Sequence, residues 1–235
     1  MGLGLSLYTV AQLARETAPT FAEALAGRVT RERCDERIQR FSRRVVDRAE
    51  MDLEVTRLSE IPAGGSYVLM SNHQSHIDIP VIYATAPVST LRMVAKTELF
   101  RIPMWGRAMR AAEMIEVDRR DRSQAVASLS RAADRVSSGV SIWIAPEGSR
   151  SRTGEVAPLK KGGFHLAKRT GAPIVPIAIT GTRDVLPPGA RAMHRGQSVR
   201  VVYGRPIATE GASVEELRDE VAHFLATHVG KPREL

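Results

Sequence analysis

The stretch Ser71-Asn72-His73-Gln74-Ser75-His76-Ile77-Asp78 follows the short apolar run Tyr67-Val68-Leu69-Met70. A buried strand that ends in polar residues delivers them to a sheet edge, where α/β proteins build their sites. Here it delivers an imidazole and, further along, a carboxylate. On a regular helix the spacing from His73 to Asp78 corresponds to a rotation of about 500°, which would point the two side chains apart. For them to touch, the segment must leave the strand as a turn, with a helix opening near Asp78. Asp is a good N-cap, and Pro80 is tolerated in a first helical turn but not deeper. A carboxylate on one ring nitrogen fixes the tautomer and leaves the other nitrogen as a proton acceptor, which makes a catalytic base with its orienter. Two other readings use the same residues. The pair can simply cap the next helix, or His73, His76 and Asp78 can serve as metal ligands. No further Cys or His cluster completes a coordination shell, so no metal is expected, and His76 is read as a structural or supporting residue.

A second apolar run, Val140–Ile144, ends in Ala145-Pro146-Glu147-Gly148-Ser149-Arg150-Ser151-Arg152-Thr153-Gly154. Gly148 permits an unusual φ or a close backbone approach, and the hydroxyls with Arg150 suit an anion. Lys160-Lys161-Gly162-Gly163 then precedes a helix whose N-terminus can add N–H donors. The order of residues is not that of a P-loop. Between the two blocks, Met114–Val117 ends in Asp118-Arg119-Arg120. Arg119 is either a second phosphate clamp or the ion-pair partner of Asp118 or Asp121.

These blocks need strands and helices to carry them. Leu53–Leu58, Tyr67–Met70, Leu91–Ala95, Met114–Val117, Val140–Ile144, Ile174–Ile179 and Val199–Tyr203 read as strands. Ile79–Ala84, Pro103–Ala111, a helix capped by Ser123 with Val126, Leu129, Ala133 and Val136 on one face, and Phe164–Arg169 read as helices between them. Gly139 and Gly171 are read as stops. Ser213-Val214-Glu215-Glu216 is a capping box that opens a last helix, closed by Gly230. The alternation predicts an α/β fold, a largely parallel sheet surrounded by helices, over residues 51–235.

Residues 1–50 differ in pattern and predict an amphipathic two-helix hairpin ahead of that domain. Leu7, Val10, Ala14, Ala18, Phe21 and Leu25 recur at helical spacing, with Gly27 as a stop. Thr30 caps a second helix with Cys34, Ile38, Phe41, Val45 and Ala49 on its stripe and arginines crowding the remainder. The hairpin either packs on the main domain or lies in a headgroup layer with its arginines on phosphates. Its first helix falls short of the roughly 20 apolar residues that span a bilayer, and no signal-peptide pattern precedes it.

The net charge of +8 in 235 residues suits an anionic partner. Aromatics are only 5% and do not alternate with the basic residues, so nucleic acid is not expected. The lone Cys34 excludes an internal disulfide, fits a reducing compartment and is read as a packing residue.

Asn72-His73 with Asp78, Val117-Asp118-Arg119, Pro146-Glu147-Gly148-Ser149-Arg150-Ser151 and Val175-Pro176-Ile177 occur in one order, supported by Lys96-Thr97-Glu98-Leu99, Pro103 with Gly106, and Leu159-Lys160-Lys161-Gly162. Over about residues 65–182 this resembles the glycerolipid acyltransferase family, specifically the 1-acylglycerol-3-phosphate acyltransferases. The resemblance implies that His73 is the general base and Asp78 its orienter. Arg119 with Glu147, Gly148, Ser149, Arg150 and Lys160 would form the acceptor-phosphate site, and Val175, Pro176 and Ile177 would line the acyl pocket or support it. It also implies an α/β domain with a tunnel for the acyl chain, and a helical hairpin at the start. The donor would be acyl-CoA or acyl carrier protein with no further cofactor, the acceptor a lysophospholipid, and the location peripheral, on the cytoplasmic face of an anionic membrane. Another lysolipid, such as a lyso-ornithine lipid, is the alternative acceptor; a non-catalytic basic lipid- or nucleic-acid-binding protein is the alternative class. Three positions depart from the family's habit: Ser149 stands for a frequent Thr, Ala145 for a common Phe and Glu113 for a usual Gly. None removes a group that the chemistry needs.

Overall fold

The computed structural model describes residues 2–118 and 122–229. Helices α1 (Gly2–Leu25) and α2 (Arg31–Arg48) form the hairpin, and Thr30 caps α2 by accepting from the Arg33 amide. They run antiparallel, because Glu23 near the end of α1 takes Arg33 and Arg37, Glu16 takes Arg40 and Arg44, and Tyr8 near the start lies under Arg48. The α2 arginines expected to reach lipid phosphates are therefore largely engaged by α1 itself.

The two apolar stripes go in opposite directions. Cys34, Val45 and Ala49 of the α2 side are buried in the main core, and Ile38 and Phe41 pack against it. On α1, Leu3, Leu7, Val10 and Leu25 face outward, Leu7 with 70% of its surface exposed, and Ala11, Ala14, Ala18 and Ala22 are exposed with them. Among the described residues no helix is long and apolar enough to cross a membrane.

The remainder alternates: β1 (Asp52–Arg57), β2 (Val68–Ser71), α3 (Asp78–Thr85), β3 (Leu91–Lys96), α4 (Thr97–Phe100), α5 (Trp105–Ala111), β4 (Ile115–Val117), α6 (Arg122–Ser137), β5 (Ser141–Ile144), α7 (Gly162–Thr170), β6 (Ile174–Thr180), α8 (Thr182–Val185), β7 (Ser198–Tyr203) and α9 (Val214–Val229). Helix α6 begins at Arg122 rather than after Ser123; the side chains of Ser123 and Val126, and Gly230, lie outside the described residues. The box at α9 forms as expected, with the Glu216 amide donating to Ser213 Oγ and the Ser213 amide to Glu216 Oε2.

Among the described residues the strands make one seven-stranded sheet in the order β1-β7-β6-β2-β5-β3-β4. Strands β6, β2, β5, β3 and β4 are mutually parallel, and β1 and β7 run against them through the antiparallel β6–β7 pair. One consequence is that β2, β3, β5 and β6 all end on the same edge. Both faces are covered. Side chains such as Leu69, Trp143 and Val175 meet α3, α5 and the hairpin, while Met70, Ile142 and Ile174 meet the α6, α7 and α9 side.

Pro176 sits inside a central strand, where a missing N–H would ordinarily break a ladder. It falls at the end of the β6–β7 ladder, opposite Gly204 just past β7, where the Gly204 amide still donates to the Pro176 carbonyl and only one ladder bond is forgone.

Glu113 explains how the hairpin is fastened. Its φ is 61°, the left-handed conformation that glycine enters freely and other residues enter at a cost of about 1–2 kcal/mol. In return its carboxylate pairs with Arg31 at the head of α2 (2.6 Å) and with Arg135 of α6 (2.8 Å). A second tie joins Asp35 of α2 to the buried Arg92 of β3 and to Thr90. Partial burial would push the Glu113 carboxyl up, but Arg31 and Arg135 outweigh it and hold it below the usual 4.5. A depressed folded value means that the clasp stabilises fully above the unfolded value of 4.5, and that this contribution is lost as pH falls through the lower folded one. Glu113→Ala, which keeps the strain and loses the pairs, is expected to cost about 1–2 kcal/mol at neutral pH. Glu113→Gly relieves the strain and should recover about 1 kcal/mol of that. Thermal melts of both variants at pH 7 check this; equal melting temperatures would remove the strain assignment.

Candidate active site

Strand β2 ends at Ser71, and the next residues turn rather than continue. Asn72 holds the turn to the neighbouring strand end: its Nδ2 donates to the Ile179 carbonyl and its Oδ1 accepts the Ile179 amide, both at 2.8 Å. His73 follows. Its Nδ1 lies 2.7 Å from Asp78 Oδ2, so the pair meets as its spacing required. The expected N-cap role of Asp78 is corrected. Asp78 is the first residue of α3, Ile77 occupies the cap position, and the carboxylate reaches back into the turn. Its Oδ2 also accepts the Gln74 amide (2.8 Å) and the Ser75 amide (3.0 Å), and its Oδ1 accepts the Thr182 hydroxyl at 2.5 Å. Asp78 is fully buried, so each of these bonds offsets the cost of keeping a carboxylate away from water. With Asp78 accepting at Nδ1–H, the free lone pair is on Nε2, and the His73 side chain keeps 19% of its surface exposed.

The loop after β5 grips the same residue. Glu147 Oε1 accepts the His73 amide (2.7 Å), Oε2 accepts the Ala157 amide (2.8 Å), and the Ser151 amide donates to the His73 carbonyl (2.7 Å). Burial raises the Glu147 carboxyl above 4.5, against the lowering effect of the two amides. Both Glu147 oxygens are thus engaged by backbone. That geometry places it as a brace between the β2 and β5 loops, a different part from direct contact with a phosphate. Trp143 stands edge-on to the His73 ring, 6.4 Å between centroids, and its indole N–H is satisfied by Ser71 Oγ. Gln74 ties the turn to the far end of the β5 loop through the Gly154 carbonyl.

The other expected residues fall as follows. Gly148 has φ 76°, and the Lys160 side chain crosses directly over it; a Cβ there would lie 2.8 Å from the Lys160 ammonium. Glycine is therefore needed both for the turn and for the lysine's path. Ser149 and Lys160 are exposed, and Arg150 is half-buried. His76 reaches the surface beside Arg150, and desolvation of its imidazole, with Arg150 and His73, holds it below its usual value. Arg119 lies outside the described residues, two positions beyond the end of β4. Val175, Pro176 and Ile177 are buried in β6, paired to Leu69, Met70 and Ser71 of β2, so they form part of the wall from which the His73 turn emerges. Cys34 is buried on α2 and its thiol is pushed up by that burial, which makes it a poor nucleophile. Among the described residues no group of three or more His, Cys, Asp or Glu side chains converges as metal ligands would.

A hydrogen-bonded histidine–aspartate pair thus stands at the carboxyl edge of the parallel sheet, with the half-buried Arg150 on the loop after β5. The family model described as Acyltransferase covers residues 52–180, and the chain belongs to that family. Among its relatives, the chloroplastic 1-acyl-sn-glycerol-3-phosphate acyltransferase BAT2 of Brassica napus is 33% identical over 174 residues, 74% of this chain and 49% of that protein. The human 1-acyl-sn-glycerol-3-phosphate acyltransferase alpha is 33% identical over 180 residues, 74% of this chain and 62% of that protein. This chain therefore spans about half to three-fifths of the length of these relatives. In structure it is similar to the crystal structure of the 1-acyl-sn-glycerophosphate acyltransferase PlsC from Thermotoga maritima, with a TM-score of 0.81 and 28% identity over 97% of this chain and 95% of that one.

Proposed function

We propose that this chain transfers a fatty-acyl group from an acyl thioester, acyl-CoA or acyl carrier protein, to the free hydroxyl of a 1-acylglycerol-3-phosphate, making phosphatidic acid. The observation that carries the reading is the Nδ1–Asp78 bond, which leaves His73 Nε2 as a proton acceptor beside the Arg150 loop. The names of the relatives supply the substrate class.

In this reading His73 Nε2 takes the proton of the glycerol hydroxyl as that oxygen attacks the thioester carbonyl. The tetrahedral intermediate collapses with cleavage of the C–S bond, and the thiolate leaves with the proton from the imidazolium. Asp78 holds the ring and stabilises the imidazolium between the two steps. No acyl-enzyme forms, so both substrates are present together and the kinetics are those of a ternary complex. Arg150, Lys160, Ser149, the Gly148 turn and Arg119 receive the acceptor's phosphate, and Glu147 braces the loop that carries them. The outward stripe of α1 lies in the lipid surface, with the chain peripheral on the cytoplasmic side. The unpaired, buried Cys34 agrees with a reducing compartment.

Release of free thiol from acyl-CoA and from acyl carrier protein, with lysophosphatidic acid, other lysolipids and a phosphate-free monoacylglycerol as acceptors, tests the proposal. Lysophosphatidic acid should be preferred; a stronger response to a lyso-ornithine lipid would replace the acceptor assignment. Arg150→Ala is expected to raise KM for lysophosphatidic acid by about 10-fold or more, as loss of a charge-assisted bond would. KM for the monoacylglycerol should change little, and equal losses on both acceptors would remove the phosphate clamp.

A further inference from the structure

The segment between α4 and α5 carries a strained backbone conformation. Met104 has φ 61° and ψ −53°, and the Trp105 amide donates to the Pro103 carbonyl at 2.6 Å, which defines a γ-turn of the rare, strained hand. The turn is locked from both sides. Behind it, the first turn of α5 sits so tightly on α4 that a Cβ at Gly106 would lie 1.9 Å from the Phe100 carbonyl oxygen. Arg110 donates to that same carbonyl and lies over the Phe100 ring. What this rigid turn presents is apolar. Ile102 is 47% exposed and Met104 51%, with Pro103 exposed between them, whereas the next residue, Trp105, turns back to pack against the core.

Strain held by its surroundings at an exposed apolar tip is the pattern of a contact device rather than of packing. Two large side chains are too few for a stable protein interface, which buries hundreds of Å² on each partner, but they suffice for a foothold in lipid. Three features fix the occupant as a bilayer. Exposed Arg101 and Arg107 flank the tip, as basic residues flank interfacial apolar groups. Helix α1, whose apolar stripe faces outward, packs along α5, the helix into which the tip leads. Strand β3, which leads into α4, ends at Lys96 on the edge of the sheet where β2 ends and His73 emerges.

We propose that the Ile102-Pro103-Met104 turn is a second lipid-inserting element, which with α1 holds the carboxyl edge of the sheet against an anionic bilayer. This rests on the membrane-surface reading of α1 given above and adds a second, independently mutable contact. It sets orientation as well as affinity: a single helix leaves the protein free to rotate about its axis, and a second point of insertion beside it removes that freedom.

The test is co-sedimentation of the full chain with vesicles of phosphatidylcholine alone and of phosphatidylcholine mixed with phosphatidylglycerol. Wild type should bind the mixed vesicles. The variant carrying Ile102→Ser and Met104→Gly suits the positive φ at position 104, so it should melt no lower than wild type, yet its partition should fall about 10-fold or more. Leu58→Ser, which removes an exposed apolar side chain just past β1 at the far edge of the sheet, should leave partition unchanged. In wild type, lipids brominated near the headgroup should quench Trp105 fluorescence. Partition of the Ile102/Met104 variant within twofold of wild type, while Leu7→Ser with Val10→Ser abolishes binding, would overturn this inference and leave the α1 reading intact. Failure of wild type to bind mixed vesicles would overturn both.

Discussion

His73→Ala should lower kcat for acyl transfer by about 10²–10⁴, the usual contribution of a positioned general base. The structure makes this a clean experiment, because the backbone of residue 73 is held independently of its ring. The amide still donates to Glu147 and the carbonyl still accepts from Ser151 when the ring is gone. Asp78 keeps the Gln74 and Ser75 amides and the Thr182 hydroxyl, so its buried carboxylate is not orphaned. Folding and acceptor binding are therefore expected to survive, with the loss confined to turnover. Thiol release under saturating donor and acceptor reads kcat, and a melt reads the fold. Turnover within a few-fold of wild type in a folded His73→Ala would take the base assignment away.

Much of this site is legible in the sequence, and the reason is geometric. A spacing that no regular helix can bring together, placed at the end of an apolar run, demands a turn, and the turn is there. Helix ends are legible for a similar reason: Thr30 and the Ser213–Glu216 box satisfy amides locally, so the signal lies within a few residues. Thr182 leaves no such signal, because its contact with Asp78 is wholly non-local. It is one polar residue after β6, and only the β2–β6 pairing places its hydroxyl on Asp78. The available clue was that β6, like β2, ends in polar residues at the same edge. The brace made by Glu147 was hidden in the same way, because one side chain bridges two loops that are distant in sequence. Hydropathy carries no strand direction, so the reversal of β1 and β7 left no trace, and α4 and α8 are too short for a helical period. The hairpin's periodicity was legible, but which stripe faced inward was not. Glu113 and Arg92 on the main domain catch α2, while α1 buries Leu5 and keeps its Leu3, Leu7 and Val10 stripe outward.

The bonds around Asp78 separate charge from geometry, and Asp78→Asn exploits this. An asparagine must offer its NH2 on one side. On the Oδ2 side it would face three donors, the His73 ring N–H and two amides, and would clash with all of them. On the Oδ1 side it meets only Thr182, whose hydroxyl can accept as well as donate. The substituted amide should therefore settle with its carbonyl toward His73, preserving the tautomer and the turn while removing the negative charge that stabilises the imidazolium. The expected result is a fall in kcat of about 10²-fold, at the lower end of the range for base loss, with KM for the acceptor nearly unchanged. Thr182→Val alone removes one donor from a carboxylate that retains three, and should cost less. In the Asp78→Asn background the same change strands the new NH2 in a buried site, so the double variant should lose more than the product of the two single effects. Because valine preserves the shape of threonine, a packing role would predict the opposite: a harmless Thr182→Val and a damaging Thr182→Ser. A double-mutant cycle on kcat, with Thr182→Ser as the variant that keeps the hydroxyl, decides between them.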